Sequence, residues 1–136
     1  MWGSLNVALP LEGIIVADFS HVMAGPYATH LLRLMGAEVI KIEVPGIGDA
    51  MRNYGADRRY DGMAPAFIAV NAGKKSIALD LKDPEQRDLA RQIVAKCDVL
   101  VENFRPGVID RLPDRAFEVA ACCPITPMAF NHACAS

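Results

Sequence analysis

The 136-residue sequence predicts an α/β domain, a parallel sheet with flanking helices, and three observations predict it. Short continuous apolar runs, with Gly13-Ile14-Ile15-Val16-Ala17-Asp18-Phe19 foremost, suit strands covered on both faces. Between those runs lie stretches whose apolar residues recur at spacings of three and four, the helical period. The joints between them are short, so strand, helix and strand follow one another as βαβ units, whose crossover is nearly always right-handed.

The first strand is the run ending at Phe19. Pro26 to Met35 reads as a helix, because Pro26 suits a first turn where its missing N–H costs little. Ala28, Leu31, Leu32 and Met35 give that helix one apolar face, and Gly36 ends it as a C′ residue. Glu38 to Glu43 alternates and is rich in β-branched residues, which makes it the second strand. Residues 44–66 are punctuated by Pro45, Gly46, Gly48, Gly55, Gly62 and Pro65 and read as a long irregular surface loop, a kind that is usually functional or disordered. Ala66 to Asn71 has helical character, and Ser76 to Leu81 is a strand. Asp83 is a natural N-cap, with Pro84 at the first helical position and Glu85 in the first turn, for a helix running to Lys96. Asp98 to Asn103 is the last strand. After Arg111 the pattern decays, broken by Pro113, Pro124 and Pro127. Residues 9–111 therefore form the expected domain, and residues 112–136 are expected to be a divergent, truncated or frame-altered tail, or else a poorly ordered one.

Composition narrows the partners. Fourteen basic and sixteen acidic side chains leave a net charge of −2, which offers no general attraction to nucleic acid or an anionic membrane. No apolar run reaches bilayer-spanning length, and the first ten residues lack the basic region of a signal peptide, so a cytoplasmic location is expected. Cys97, Cys122, Cys123 and Cys134 have neither zinc nor CxxC spacing, and reduced thiols are expected. No metal site, GxSxG elbow, Walker A loop or HExxH pair is present in the sequence.

Candidate site residues cluster where strands end. His21 stands just beyond the first strand at the mouth of a helix, where open α/β sheets bind ligands. It reads either as a solvated loop histidine or as a ligand contact. The adjoining Val22-Met23-Ala24-Gly25-Pro26 has one glycine, not the several that a dinucleotide loop needs. Glu43 ends the second strand, where a dinucleotide fold carries its ribose-binding acid. Lys74 and Lys75 are either a solvated turn or a phosphate-capturing pair, and Lys82 is open in the same way. Asn103-Phe104-Arg105-Pro106-Gly107 follows the last strand, with Arg111 beyond it; an amide, an aromatic face and guanidinium groups together suit an adenine and its phosphates.

As a set these motifs resemble the class III CoA-transferase family, which includes formyl-CoA transferase, carnitine CoA-transferases and α-methylacyl-CoA racemase. The resemblance rests on Leu11-Glu12-Gly13, Asp18-Phe19-Ser20-His21, Ala24-Gly25-Pro26, Leu34 to Glu43, Asn71, Lys74 to Lys82, and Asp98 to Gly107. It implies a Rossmann-like CoA-binding domain, here the N-terminal portion of a longer fold whose full-length members form interlocked homodimers. It implies transfer of CoA between a CoA thioester and a carboxylic acid through a protein carboxylate, a form of covalent catalysis. No tightly bound cofactor is implied; coenzyme A or its acyl thioester is the substrate. By position, His21, Val22 and Ala24 would line the pantetheine and thiol end, and Leu79, Lys82, Asn103, Phe104 and Arg111 would hold the adenine and phosphates. Val44 stands where members of the family often carry an arginine. Asp110 and Asp114 match no catalytic motif, so no catalytic residue is assigned and the chain alone is expected to be inactive. A CoA-binding module without catalysis, an acyl-CoA racemase and an unrelated NAD-type domain are the competing readings.

Overall fold

The computed structural model describes residues 8–105, so Arg111 and the expected tail lie outside the described residues. Four strands, β1 (Ile15–Asp18), β2 (Glu38–Glu43), β3 (Lys75–Ala78) and β4 (Val99–Val101), form one parallel sheet in the order β3-β2-β1-β4. Three helices, α1 (Ala24–Leu34), α2 (Pro65–Asn71) and α3 (Pro84–Val94), make the crossovers. The chain steps outward from β1 to β3 and then returns to pair β4 with the other side of β1. That reversal opens a crevice at the carboxyl ends of β1 and β4, the usual ligand position in such sheets.

Side chains alternate across the sheet, and each face has its own core. Val16, Val39 and Val101 point to one side and pack with Ala37 and Leu32. Ala17, Ile42 and Leu100 point to the other and pack with Phe19, Leu79 and Ala90, joined by Ile93 and Val94 of α3. Both faces are covered, as the continuous apolar runs require.

Helix α1 starts at Ala24, two residues before the expected start. Gly25 allows this: a Cβ there would lie 2.2 Å from the Ser20 Cβ, so only glycine lets the first turn press onto the end of β1. Its far end follows the expectation, with Gly36 at φ 109° donating its N–H to the Arg33 carbonyl at 2.9 Å. Asp83 caps α3 by accepting from the Glu85 N–H at 2.9 Å, with Pro84 in the first position.

Two strands are shorter than the sequence suggests. Leu79 donates its N–H to the Glu43 carbonyl and the chain then turns away, so Leu79 to Leu81 are loop residues. At β4, side chains complete the pairing at both ends: Asp98 donates its N–H to the Ile15 carbonyl while its carboxylate accepts the Ile15 N–H, and Asn103 pairs with His21 at the other end. An alternating pattern records this as strand because the residues keep the spacing and only the hydrogen-bond donor or acceptor changes.

Residues 44–66 are more ordered than an irregular loop. Short 3-10 turns at Ala50–Asn53 and Arg58–Tyr60 precede α2, and Met51, Ala64 and Phe67 bury a small core of their own. The Arg52 guanidinium lies 4.1 Å from the centre of the Phe67 ring.

Candidate functional site

Every strand sends residues past its carboxyl end, and these line one cleft of about 310 Å³. Phe19 and His21 follow β1, Ile42 to Val44 close β2, Leu79 to Lys82 follow β3, and Phe104 follows β4. The walls are mostly apolar, with Lys82 exposed at the rim. This volume lies near the lower end of the roughly 300–1,000 Å³ typical of ligand pockets. A flat aromatic group with a charged tail leading toward Lys82 fits that chemistry.

His21 is fixed through its backbone. The Asn103 side-chain amide accepts the His21 N–H at 2.8 Å and donates to the His21 carbonyl at 2.8 Å, imitating one more rung of the β1–β4 ladder. The His21 ring meets Phe104 at a centroid separation of 5.7 Å and an angle of 49°. Burial, helped by the nearby Lys41 charge, pushes the His21 pKa below its ordinary value against the opposing pull of Asp49, Asp18 and Glu43. The neutral imidazole therefore predominates at pH 7.

Under this loop lies a set of buried charges. Lys41 shares the parity of Val39 on β2, and its ammonium, 1% exposed, donates to the Ser20 carbonyl at 2.7 Å and pairs with Asp49 at 3.1 Å. Asp18 accepts from Ser20, Thr29 and Lys74. Burial opposes its ionisation, but the two lysine charges and the hydroxyl donors outweigh that and lower its pKa. The Lys74 ammonium, 2% exposed, bonds to Asp18, the Pro26 carbonyl, Thr29 and Asn71, all within 3.0 Å. Three N–H donors with four acceptors leave nothing for a phosphate, so Lys74 is structural. Lys75 pairs with Glu38 on the exposed edge strand, away from the cleft.

Glu43 lines the cleft, but its carboxylate is already committed. Arg52 grips it with two bonds of 2.8 and 2.7 Å, the Ser76 hydroxyl donates at 2.8 Å, and the Asp49 N–H at 2.9 Å. Burial opposes the charge, yet these donors hold the pKa down at about 2. Glu43 thus anchors the 44–64 segment to β2, and the role of a ribose-binding acid does not fit it.

Four of the residues proposed from sequence, His21, Leu79, Lys82 and Phe104, share the cleft. Asn103 stands behind His21 and acts on it through the two backbone bonds. Val22, on the loop leading into α1, and Ala24, the first residue of that helix, are exposed and are not among the residues of the cleft wall. Sequence reasoning missed Lys41 and Asp49. A lysine at a core-parity position of a buried strand was the available signal, since such a charge must find a partner. Among the described residues no group of histidine, cysteine and acidic side chains could hold a metal, and no helix is long and apolar enough to cross a membrane.

Fold and cleft together define a parallel α/β domain with an open cleft at the carboxyl edge of its sheet, where sheets of this class place their ligands. The particular family follows from comparison: the model of CoA-transferase family III matches residues 11–124, and the chain belongs to that family. It is 47% identical over 103 residues to a formyl-CoA:oxalate CoA-transferase of Bradyrhizobium sp. (strain ORS 278), covering 75% of this chain and 24% of that protein. It is also 47% identical over 116 residues to an acetyl-CoA:oxalate CoA-transferase of Acetobacter aceti, covering 85% of this chain and 29% of the relative. A crystal structure of a CAIB/BAIF family protein from Brucella suis superposes with a TM-score of 0.71 at 38% identity, covering 78% of this chain and 29% of that one. The chain spans about a quarter of the length of the curated relatives it matches.

Proposed function

We propose that residues 9–111 form the coenzyme A-binding part of an enzyme that moves CoA from a thioester to a carboxylic acid. The carrying observation is the convergence of His21, Leu79, Lys82 and Phe104 on one cleft at the switch-point edge. Apolar walls and the Phe104 ring suit the adenine, and the Lys82 ammonium suits a phosphate beside it. The loop His21-Val22-Met23-Ala24 then leads the pantetheine arm toward the start of α1. Arg111 would add a second cation on the phosphates.

Formyl-CoA or acetyl-CoA as donor and oxalate as acceptor are the substrates that the names of the relatives suggest. In the whole protein, acting as a homodimer, a carboxylate supplied from beyond the described residues would attack the thioester, giving a mixed anhydride and free CoA thiolate. The thiolate would then attack the enzyme carbonyl, expelling the donor acid and leaving an enzyme–CoA thioester. The acceptor carboxylate would run the same two exchanges in reverse, leaving as its CoA thioester and restoring the enzyme carboxylate. The residues in hand bind and orient CoA; none of them is assigned as the nucleophile.

Calorimetric titration of the chain with CoA, with NADH as comparator, tests this. Heat with CoA and none with NADH is expected. No heat with CoA at millimolar concentration would overturn the proposal. A response to NADH alone would transfer the cleft to a dinucleotide.

A further inference from the structure

Val22 is a β-branched residue at φ 69°, the left-handed region that such side chains avoid. Its side chain is 40% exposed. What holds that conformation is Asp49, 27 residues away, whose two carboxylate oxygens accept the Val22 N–H at 3.0 and 3.2 Å. Asp49 is fully buried and braced on every side. It pairs with Lys41, accepts the Met51 N–H at 2.9 Å, and donates its own N–H to Glu43. Lys41 in turn bonds the Ser20 carbonyl, so the same ion pair grips the loop on both sides of His21.

We propose that Asp49 is a positioning residue that holds Val22 in its left-handed turn and so sets the path of the loop His21 to Ala24 beside the cleft. Asp49 sits in the segment that the sequence marks as a surface loop, and that segment thereby shapes the path beside the cleft as well as supplying Val44 to its wall. The consequence for binding rests on the reading of that loop as the seat of the pantetheine arm. The consequence for Val22 does not.

The test compares Asp49→Ala with Asp49→Asn, in the full chain, by two readouts. Backbone chemical shifts and the one-bond Cα–Hα coupling of residue 22 separate positive from negative φ without any ligand. CoA affinity is measured by calorimetry well below each variant's melting temperature. Asp49→Asn keeps an acceptor within reach of the Val22 N–H; it is expected to retain the positive-φ signature and bind CoA within about three-fold of wild type. Asp49→Ala removes both acceptors; residue 22 is expected to lose the signature and the affinity to fall about ten-fold, the scale of a lost charge-assisted bond. An aspartate that only stabilises the fold would lower both melting temperatures and leave the Val22 signature and the affinity unchanged in Asp49→Ala, which would overturn the proposal. If Asp49→Ala does not fold, Val22→Gly decides: relief of strain is expected to raise its melting temperature by a few degrees, and a fall would overturn the proposal. If wild type binds no CoA, the functional assignment of the cleft fails, while the Val22 signature still settles the role of Asp49.

Discussion

Asn103 closes two 2.8 Å hydrogen bonds on the backbone of His21, 82 residues earlier in the chain. The amide both accepts and donates, and this duality is what the position requires. Asn103→Ala leaves a half-buried N–H and carbonyl unpaired, and Asn103→Asp can accept the N–H but sets a second oxygen against the carbonyl. Both variants are expected to weaken CoA binding by about ten-fold, at a stability cost of about 1–3 kcal/mol. Lys96→Ala, on the exposed end of the α3 region, is the control and should change neither. Calorimetry and thermal melts check this; equal affinities across the three variants would remove Asn103 from the site.

Neighbouring lysines are expected to behave in opposite ways. Lys74 is buried on Asp18, and truncating one partner of a buried pair strands the other charge, at about 3–5 kcal/mol. Lys75 is 67% exposed on its ion pair with Glu38, where such pairs contribute about 0–1 kcal/mol. Urea unfolding of Lys74→Met and Lys75→Met measures the contrast. A similar midpoint for both would show that the buried network is not what holds β1 to α1.

That contrast also marks what the sequence could and could not reveal. The parallel sheet was legible because strands covered on both faces need unbroken apolar runs such as Ile14 to Ala17, and because Asp83-Pro84 and Gly36 carry their own local rules. His21, Lys82 and Phe104 were legible as candidates because each stands just past an expected strand, whereas Leu79 entered only through the family resemblance; the structure brings all four to one cleft. Lys74 and Lys75 are chemically identical in sequence, and only the long-range neighbour Asp18 separates them. Glu43 sat at the ribose-acid position but was claimed by Arg52, a partner inside a segment with no periodic pattern to place it. Order in residues 44–64 comes from such side-chain bonds and from the Met51–Ala64–Phe67 cluster, neither of which leaves a period.

Glu43 makes acid stability predictable in sign. Its pKa is lowered from 4.5 to about 2, so the unfolded chain binds the proton more readily than the folded one. The stabilisation is complete above about 4.5 and is lost as pH falls through about 2. A shift of this size corresponds to at most about 3–4 kcal/mol. Solvent reduces this figure, because the Arg52 side chain is 31% exposed. Glu43→Gln should therefore be less stable at pH 7 and show a flatter dependence between pH 4.5 and 2. Circular dichroism melts across that range check it. Parallel curves for wild type and variant would deny Glu43 its part in acid unfolding.

His21 and Lys82 should divide binding into a neutral and a charged share. The His21 pKa is held below its ordinary value of 6.5, chiefly by burial. A proton-NMR titration of its ring should accordingly give a midpoint below 6.5. By the same linkage, the folded state loses stability as pH falls from 6.5 toward that midpoint. At pH 7 the predominant neutral imidazole carries no charge to attract a phosphate, whereas the exposed Lys82 ammonium at the rim does. His21→Ala should then lower CoA affinity without altering its dependence on salt. Lys82→Ala should lower affinity at low salt and flatten that dependence, since screening acts on the long-range charge alone. Calorimetry at two ionic strengths separates the two. A steeper loss of salt dependence in His21→Ala than in Lys82→Ala would mean that the phosphates lie beside the imidazole and that CoA runs through the cleft in the opposite direction.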